Sequence, residues 1–191
     1  MGRSATLKIE RGRSFALRAQ DDKSLRMTNQ MTDVENKLKI DRNFKLGFEH
    51  QLRDEIDKAI HYYKKSLEEH PSAEVHTFLG WAYSFLGQYD QAIEECQKAI
   101  ELDPDFGNPW NDIGAYLIEK GNFDEAVFYL KKAARSKNYN TYYYPHYNLS
   151  RIWIKKGMLN KAISSLYKTL EVNPYFTPAI NALNHLLKQV H

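Results

Sequence analysis

Residues 73–106 read AEVHTFLGWAYSFLGQYDQAIEECQKAIELDPDF, and this stretch decides the fold. Apolar residues recur at helical spacing on both sides of Gly87, and Pro104 stands near the end of the stretch. Such spacing produces amphipathic helices. Glycine accepts the left-handed conformation that ends a helix, and proline cannot continue one. The stretch therefore predicts two helices joined by a short turn.

The same hairpin pattern occurs four times along the chain. Each unit contains an apolar residue followed by Gly or Ser, at Leu46-Gly47, Leu79-Gly80, Ile113-Gly114 and Leu149-Ser150. Twelve residues later comes an alanine, at Ala59, Ala92, Ala126 and Ala162. Twelve residues further on stand Pro71, Pro104, Asn138 and Pro174. A period of 33 to 36 residues between the alanines indicates stacked helical repeats.

This pattern resembles the tetratricopeptide repeat, a helical hairpin of about 34 residues with Leu-Gly, Tyr, Ala and Pro at set places. The resemblance covers about 150 of the 191 residues. It implies an all-α, right-handed superhelical solenoid of about three and a half to four repeats. We place the units at 40–72, 73–106, 107–142 and 143–176, followed by a capping helix over 177–190.

Two ends of the array depart from the pattern. The predicted capping helix is apolar on one face and carries Asn181, Asn184 and Lys188 elsewhere, which suits a helix with nothing stacked beyond it. In the first unit, Asp54 stands where the other units have glycine. The first unit is therefore the least regular of the four.

Charge separates the chain into two segments. Residues 1–39 hold nine Lys/Arg against five Asp/Glu, whereas residues 40–191 hold 18 against 19. We predict that residues 1–39 form a basic, mostly disordered or mobile segment, and that residues 40–191 form the repeat domain. Met27 or Met31 is a candidate for the true start of translation, in which case the residues before it would not belong to the natural protein. An alternative function is nucleic-acid or anionic-surface binding through this basic segment.

Several classes of protein are not expected from this sequence. A single cysteine, Cys96, excludes an internal disulfide framework. The chain contains no nucleophile elbow, phosphate-binding loop or H-E-x-x-H motif, so we expect no enzyme, no cofactor and no metal site. The remaining catalytic alternative is an enzyme with an unrecognised site in the groove. No run of 18 apolar residues exists, and we expect a cytoplasmic monomer without membrane insertion, secretory signal or nucleic-acid partner.

The resemblance implies a concave groove lined by the first helix of each unit. Offsets from the Leu-Gly pair predict ten groove residues: Phe44, Phe48, Thr77, Trp81, Asn108, Asn111, Asp112, Tyr144, Tyr147 and Arg151. Aromatic residues and Arg are enriched in binding surfaces, and Asn can bond an extended backbone in both directions. We predict that the groove binds a segment of another protein or a peptide. Trp81 and Tyr147 would be its anchors, unless Trp81 simply packs between helices.

We expect amide and charged side chains to determine which segment the predicted groove binds. Asn111 would bond the partner's backbone, while Asp112 and Arg151 would set charge complementarity. One subclass of the family grips a C-terminal carboxylate with Lys, Asn and Arg. Phe44 and Phe48 stand where that Lys and one Asn are expected, so the resemblance favours an apolar or mixed peptide.

The segment 139–147 contains five tyrosines in nine residues and lies where one repeat is lengthened. Tyrosine offers a large amphipathic contact area. The rings either contact a partner at the groove edge or cover the widened junction between two units. The sequence leaves both alternatives open.

Overall fold

The computed structural model describes residues 42–190, so the prediction for residues 1–39 lies outside the described residues. These form nine helices: α1 Arg42–Leu52, α2 Ile56–Glu69, α3 Ala73–Phe85, α4 Tyr89–Leu102, α5 Gly107–Glu119, α6 Phe123–Ala133, α7 Tyr143–Lys155, α8 Leu159–Val172 and α9 Thr177–Val190. Within this range no strand occurs, and one isolated bridge joins Phe106 to Asn138. The predicted all-α class is confirmed.

The helices form hairpins that stack in chain order. Each first helix packs on the second helix of its own hairpin, and each second helix packs on the first helix of the next hairpin. Successive first helices α1, α3, α5 and α7 also contact one another, whereas successive second helices lie further apart. The stack therefore curves with the first helices on its inner side. We call the surface formed by α1, α3, α5 and α7 the inner face.

Small residues allow the two helices of each hairpin to approach closely. The repeated alanine in the first turn of each second helix is fully buried, at Ala59, Ala92, Ala126 and Ala162. Opposite them, a Cβ atom on Gly114 would lie 2.6 Å from Leu130 Cδ2. A distance this short requires a neighbour to shift, so the repeated small residue is a packing requirement.

The turns inside the hairpins use the left-handed conformation. Gly87, Gly121 and Gly157 have φ values of 72°, 82° and 69°, and Asp54 has φ 61° at the corresponding place. Aspartate is one of the few other residues that visits this region, because its short polar side chain can hydrogen-bond locally. The first hairpin thus turns in the same way as the others.

The lengthened connection between α6 and α7 folds back onto the start of α5. Asn138 N donates to Asp105 O at 3.0 Å, and Gly107 N donates to Asn138 O at 3.0 Å. The buried Tyr139 ring packs on Gly107 and contacts the Tyr142 ring edge-on. Tyr139 and Tyr142 therefore cover the junction between two units, which was one of the two alternatives for this segment.

Candidate functional site

A series of hydrogen-bonded side chains crosses the inner face from α3 to α7. Trp81 Nε1 donates to Asp112 Oδ2, and Asn111 Nδ2 donates to Asp112 Oδ1 at 3.2 Å. Asn148 Nδ2 then donates to Asn111 Oδ1 at 3.1 Å. Because Asn111 and Asn148 are 37 residues apart, this bond joins two consecutive repeats.

Arg151 continues the series toward the end of α5. Its Nη1 donates to Asn148 Oδ1 at 3.2 Å, and its Nη2 donates to Glu119 Oε1 at 2.6 Å. We call the connected side chains the polar network: Trp81, Asp112, Asn111, Asn148, Arg151 and Glu119. Hydrogen bonds between buried polar groups fix their orientation, so the network holds α3, α5 and α7 in register.

Aromatic rings flank the polar network on the side of α1 and α3. Phe78 contacts Phe44 at 5.1 Å, Phe48 at 5.7 Å and Trp81 at 5.0 Å between ring centroids. Phe44, Phe48 and Phe78 are buried, whereas Trp81 is half-buried. The first two therefore form core between α1 and α3 and do not line an open groove.

A second aromatic cluster flanks the network on the side of α9. The Phe176 ring lies 5.0 Å from Tyr143, 5.5 Å from Tyr144 and 5.0 Å from Tyr147. Tyr144 and Phe176 are buried, while Tyr147 remains half-buried. Phe176 was not among the predicted residues. Its signal in the sequence is that Phe106 and Phe176 both follow the closing proline of their units by two residues.

Burial divides the ten predicted groove residues into two groups. Four are partly exposed, namely Trp81, Asn108, Tyr147 and Arg151. Six are buried, namely Phe44, Phe48, Thr77, Asn111, Asp112 and Tyr144. The buried six are part of the packed interior and do not line an open groove. The offset within a repeat identifies the face of a helix, but it does not show how far the next helix covers that face.

The predicted roles of the charged residues also change. Asp112 is buried and accepts hydrogen bonds from Trp81 and Asn111, so its charge is used inside the protein. Arg151 is paired with Glu119, a residue that the offsets did not select. Of the two charges that were expected to face a partner, that of Arg151 is paired with Glu119, and the Asp112 carboxylate is hydrogen-bonded within the inner face.

Burial and contacts within a hairpin shift the pKa values of other titratable groups. His76 Nδ1 lies 2.7 Å from Glu95 Oε2, and Lys98 Nζ lies 2.9 Å from Glu95 Oε1. Burial would raise the pKa of Glu95, but the hydrogen bonds from His76 and Lys98 outweigh it and hold that pKa below its ordinary value. Burial raises the pKa of the Cys96 thiol well above its ordinary value and lowers the pKa of His146.

Residues 42–190 offer neither a metal-binding cluster nor a membrane-crossing helix. Within this range there is no group of three or more His, Cys, Asp or Glu suited to hold a metal ion. None of the helices described there combines the length and apolar character needed to cross a membrane.

Known proteins share the repeat pattern and the fold. Family models for the tetratricopeptide repeat match residues 73–106 and 95–128. The small glutamine-rich tetratricopeptide repeat-containing protein 2 of Mycosarcoma maydis is 36% identical over 70 residues, covering 36% of this chain and 20% of that protein. The TPR repeat-containing protein YpiA of Bacillus subtilis is 24% identical over 131 residues, covering 68% of this chain and 30% of that protein.

Solved structures agree on the architecture. The structure of PilF from Pseudomonas aeruginosa matches with a TM-score of 0.72 at 24% identity, covering 77% of this chain and 67% of that chain. This identity is low, so the likeness concerns the fold alone. The chain spans less than a third of the two curated relatives' length. The matching family models show that residues 73–128 carry tetratricopeptide repeats, and the stacked hairpins of residues 42–190 have the fold of such repeats.

Proposed function

We propose that this chain is a non-catalytic interaction scaffold whose inner face binds a segment of another polypeptide. The observation that carries the proposal is the polar network between two aromatic clusters, with Trp81, Asn108, Tyr147 and Arg151 partly exposed along it. The tetratricopeptide repeats that the family models identify support an interaction role. The proposal concerns this domain, since the relatives are much longer chains.

Pre-organisation favours binding at this face. Trp81 is held by a hydrogen bond to Asp112 and by its contact with Phe78, and Tyr147 is held by Phe176. A fixed aromatic ring loses little conformational entropy when a partner covers it, so more of the contact energy appears as affinity. Trp81 and Tyr147 are therefore the proposed anchors.

The charge balance of the face favours an apolar or mixed segment. Arg151 already pairs with Glu119, and Asp112 already accepts two hydrogen bonds. Asn108 is half-buried on α5, and its amide can both donate to and accept from an extended backbone. We propose that backbone contacts through Asn108 and ring contacts provide most of the affinity.

A displayed library of random peptides, selected on the immobilised chain, tests this function. Selected peptides should bind in calorimetry, and the combined change Trp81→Ala with Arg151→Ala should remove the binding while the helical circular-dichroism signal persists. Gln97→Ala changes an exposed residue on α4 and serves as the control. Peptides that bind the double variant as tightly as the unchanged chain would show that the inner face is not the site.

The exposed face of α9 and the buried thiol bear on the oligomeric state and the cellular location of the protein. We propose a monomer, because α9 exposes Asn181, Asn184 and His185. We also propose a cytoplasmic location, with which the single buried free thiol of Cys96 is compatible. Light scattering of the purified chain and fluorescence microscopy of a tagged chain measure these two properties.

A further inference from the structure

Aromatic and basic side chains meet at the edge where α5 begins and α6 ends. We call this surface the basic aromatic patch, formed by Trp110, Phe128, Tyr129, Lys131, Lys132 and Arg135. None of these residues belongs to the polar network or to the predicted groove. The patch is therefore a separate surface of the domain.

The rings of the patch contact one another and a lysine. The Tyr129 ring centroid lies 5.8 Å from that of Trp110 and 5.4 Å from that of Phe128. Lys132 Nζ lies 5.9 Å from the Trp110 centroid and 5.7 Å from the Phe128 centroid. Trp110 Nε1 donates to Pro104 O at 3.0 Å, which fixes the indole. Phe128 nevertheless remains 54% exposed.

The cations of the patch have no carboxylate partner in the described part of the chain. Lys131, Lys132 and Arg135 are exposed, and none of them forms an ion pair with a residue between 42 and 190. The next basic residue, Lys137, pairs with Asp105 at 3.3 Å. Three cations are thus available beside the exposed Phe128 ring and the half-buried Trp110 and Tyr129 rings.

In the preceding repeat, the lysine that aligns with Lys132 forms ion pairs within the protein. In α4, Lys98 Nζ lies 3.0 Å from Glu94 Oε1 and 2.9 Å from Glu95 Oε1. Glu95 also contacts His76 of α3 at 2.7 Å. The lysine of that repeat therefore has carboxylate partners within its own hairpin.

Aligning the buried alanines Ala92 and Ala126 shows what has changed in α6. Phe128, Tyr129 and Arg135 replace Glu94, Glu95 and Glu101, and Trp110 replaces His76. The other two units also carry glutamate at the Arg135 position, as Glu68 and Glu171. The lysine is kept in all four units, as Lys65, Lys98, Lys132 and Lys168. Only in the third unit are aromatic rings combined with an arginine at the position of that glutamate.

We infer that the basic aromatic patch binds a short acidic segment of a partner polypeptide, with apolar side chains of that segment against Phe128 and Trp110. Carboxylates of the segment take the place that Glu94 and Glu95 occupy around Lys98. Nucleic acid fits less well: residues 40–191 hold 18 Lys/Arg against 19 Asp/Glu, whereas phosphate binding needs a broad basic surface.

Fluorescence polarisation with the full chain and a labelled peptide of alternating Glu and Leu tests the inference. Binding should be saturable and should weaken as salt is added. Phe128→Glu combined with Arg135→Glu restores the residue types of the second repeat and should weaken binding by about tenfold or more. Lys45→Glu makes the same charge change as Arg135→Glu at an exposed site on α1 and should leave the affinity unchanged.

Two further probes test whether binding needs carboxylates and whether it is selective for polypeptide. A peptide of alternating Gln and Leu should bind much more weakly, and an oligothymidylate should neither bind nor displace the acidic peptide. Equal binding of the Gln peptide, displacement by the oligothymidylate, or full binding by the Phe128/Arg135 variant would each overturn the inference. The variant with Trp81→Ala and Arg151→Ala should still bind the acidic peptide, so failure of the inner-face function is distinguishable. Circular dichroism of each variant verifies that it is folded.

Discussion

Replacing Asn148 by alanine should lower the free energy of unfolding by about 2 to 4 kcal/mol. Asn148 is 6% exposed, and its amide joins Asn111 at 3.1 Å and Arg151 at 3.2 Å. A neutral hydrogen bond contributes about 0.5–1.5 kcal/mol and one to a charged group about 1.5–3 kcal/mol. In the variant, Arg151 keeps its hydrogen bond to Glu119. Asn111 Oδ1 loses its donor, and because Asn111 is 1% exposed, this oxygen has no access to water.

A double-mutant cycle isolates the bond between the two repeats. Asn111→Ala and Asn148→Ala each remove the same amide contact, so the double variant should be less destabilised than the sum of the single variants by about 1 kcal/mol. Urea unfolding followed by circular dichroism measures all four proteins. An unchanged m-value would show that the variants differ in stability and not in the extent of unfolding.

Asn108→Ala is the matched control for this cycle. Asn108 has the same side chain, lies on α5 like Asn111, and makes no side-chain hydrogen bond within the described part of the chain. Its replacement should change stability by no more than about 0.5 kcal/mol. The bond between Asn148 and Asn111 does not couple the two repeats if Asn148→Ala lowers the free energy of unfolding no more than Asn108→Ala does. The same holds if the losses of the two single variants add up to the loss of the double variant.

Three further predictions address packing, pH and thiol chemistry. Gly107→Ala should lower the free energy of unfolding by about 2 kcal/mol and speed hydrogen exchange in the α6–α7 connection, because the new Cβ would lie 2.4 Å from Tyr139 Cβ. Gly121→Ala is the control, since the space around its Cβ is open. It should lower the free energy of unfolding by about 1 kcal/mol through its φ of 82° and leave that exchange unchanged. Burial lowers the folded-state pKa of His146 below 6.5, so the unfolded chain binds the proton more tightly and stability should fall as pH drops below 6.5. In urea unfolding at several pH values, His146→Gln should make the free energy of unfolding depend less steeply on pH. Iodoacetamide should label Cys96 only at the rate of unfolding, because the thiol is fully buried and burial raises its pKa; rapid labelling of the folded chain in mass spectrometry would contradict this.

Much of the fold could be read from local chemistry. The period of the apolar residues, the glycines at the turns and the buried alanines depend on interactions within one hairpin, which the sequence displays directly. Even Asp54 could be aligned with the turn glycines, although its φ of 61° required coordinates. The basic aromatic patch was also open to this comparison, since Arg135 departs from the glutamates of the other units.

Less of the candidate site could be predicted from the sequence. Offsets within a repeat located the residues on the inner face, and four of the ten predicted groove residues are partly exposed there. They did not reveal that Phe44, Phe48 and Tyr144 are buried, because burial depends on the neighbouring hairpin. They also missed Glu119 as the partner of Arg151.

By itself the sequence determined that this protein is a stack of helical hairpins, because each amphipathic hairpin must bury its apolar face against the next. Only the tertiary structure decided which polar side chains the stacking brings together. The bond from Asn148 to Asn111 spans 37 residues, and that from Trp81 to Asp112 spans 31. Contacts of that range depend on the relative placement of separate hairpins, which no local periodicity records.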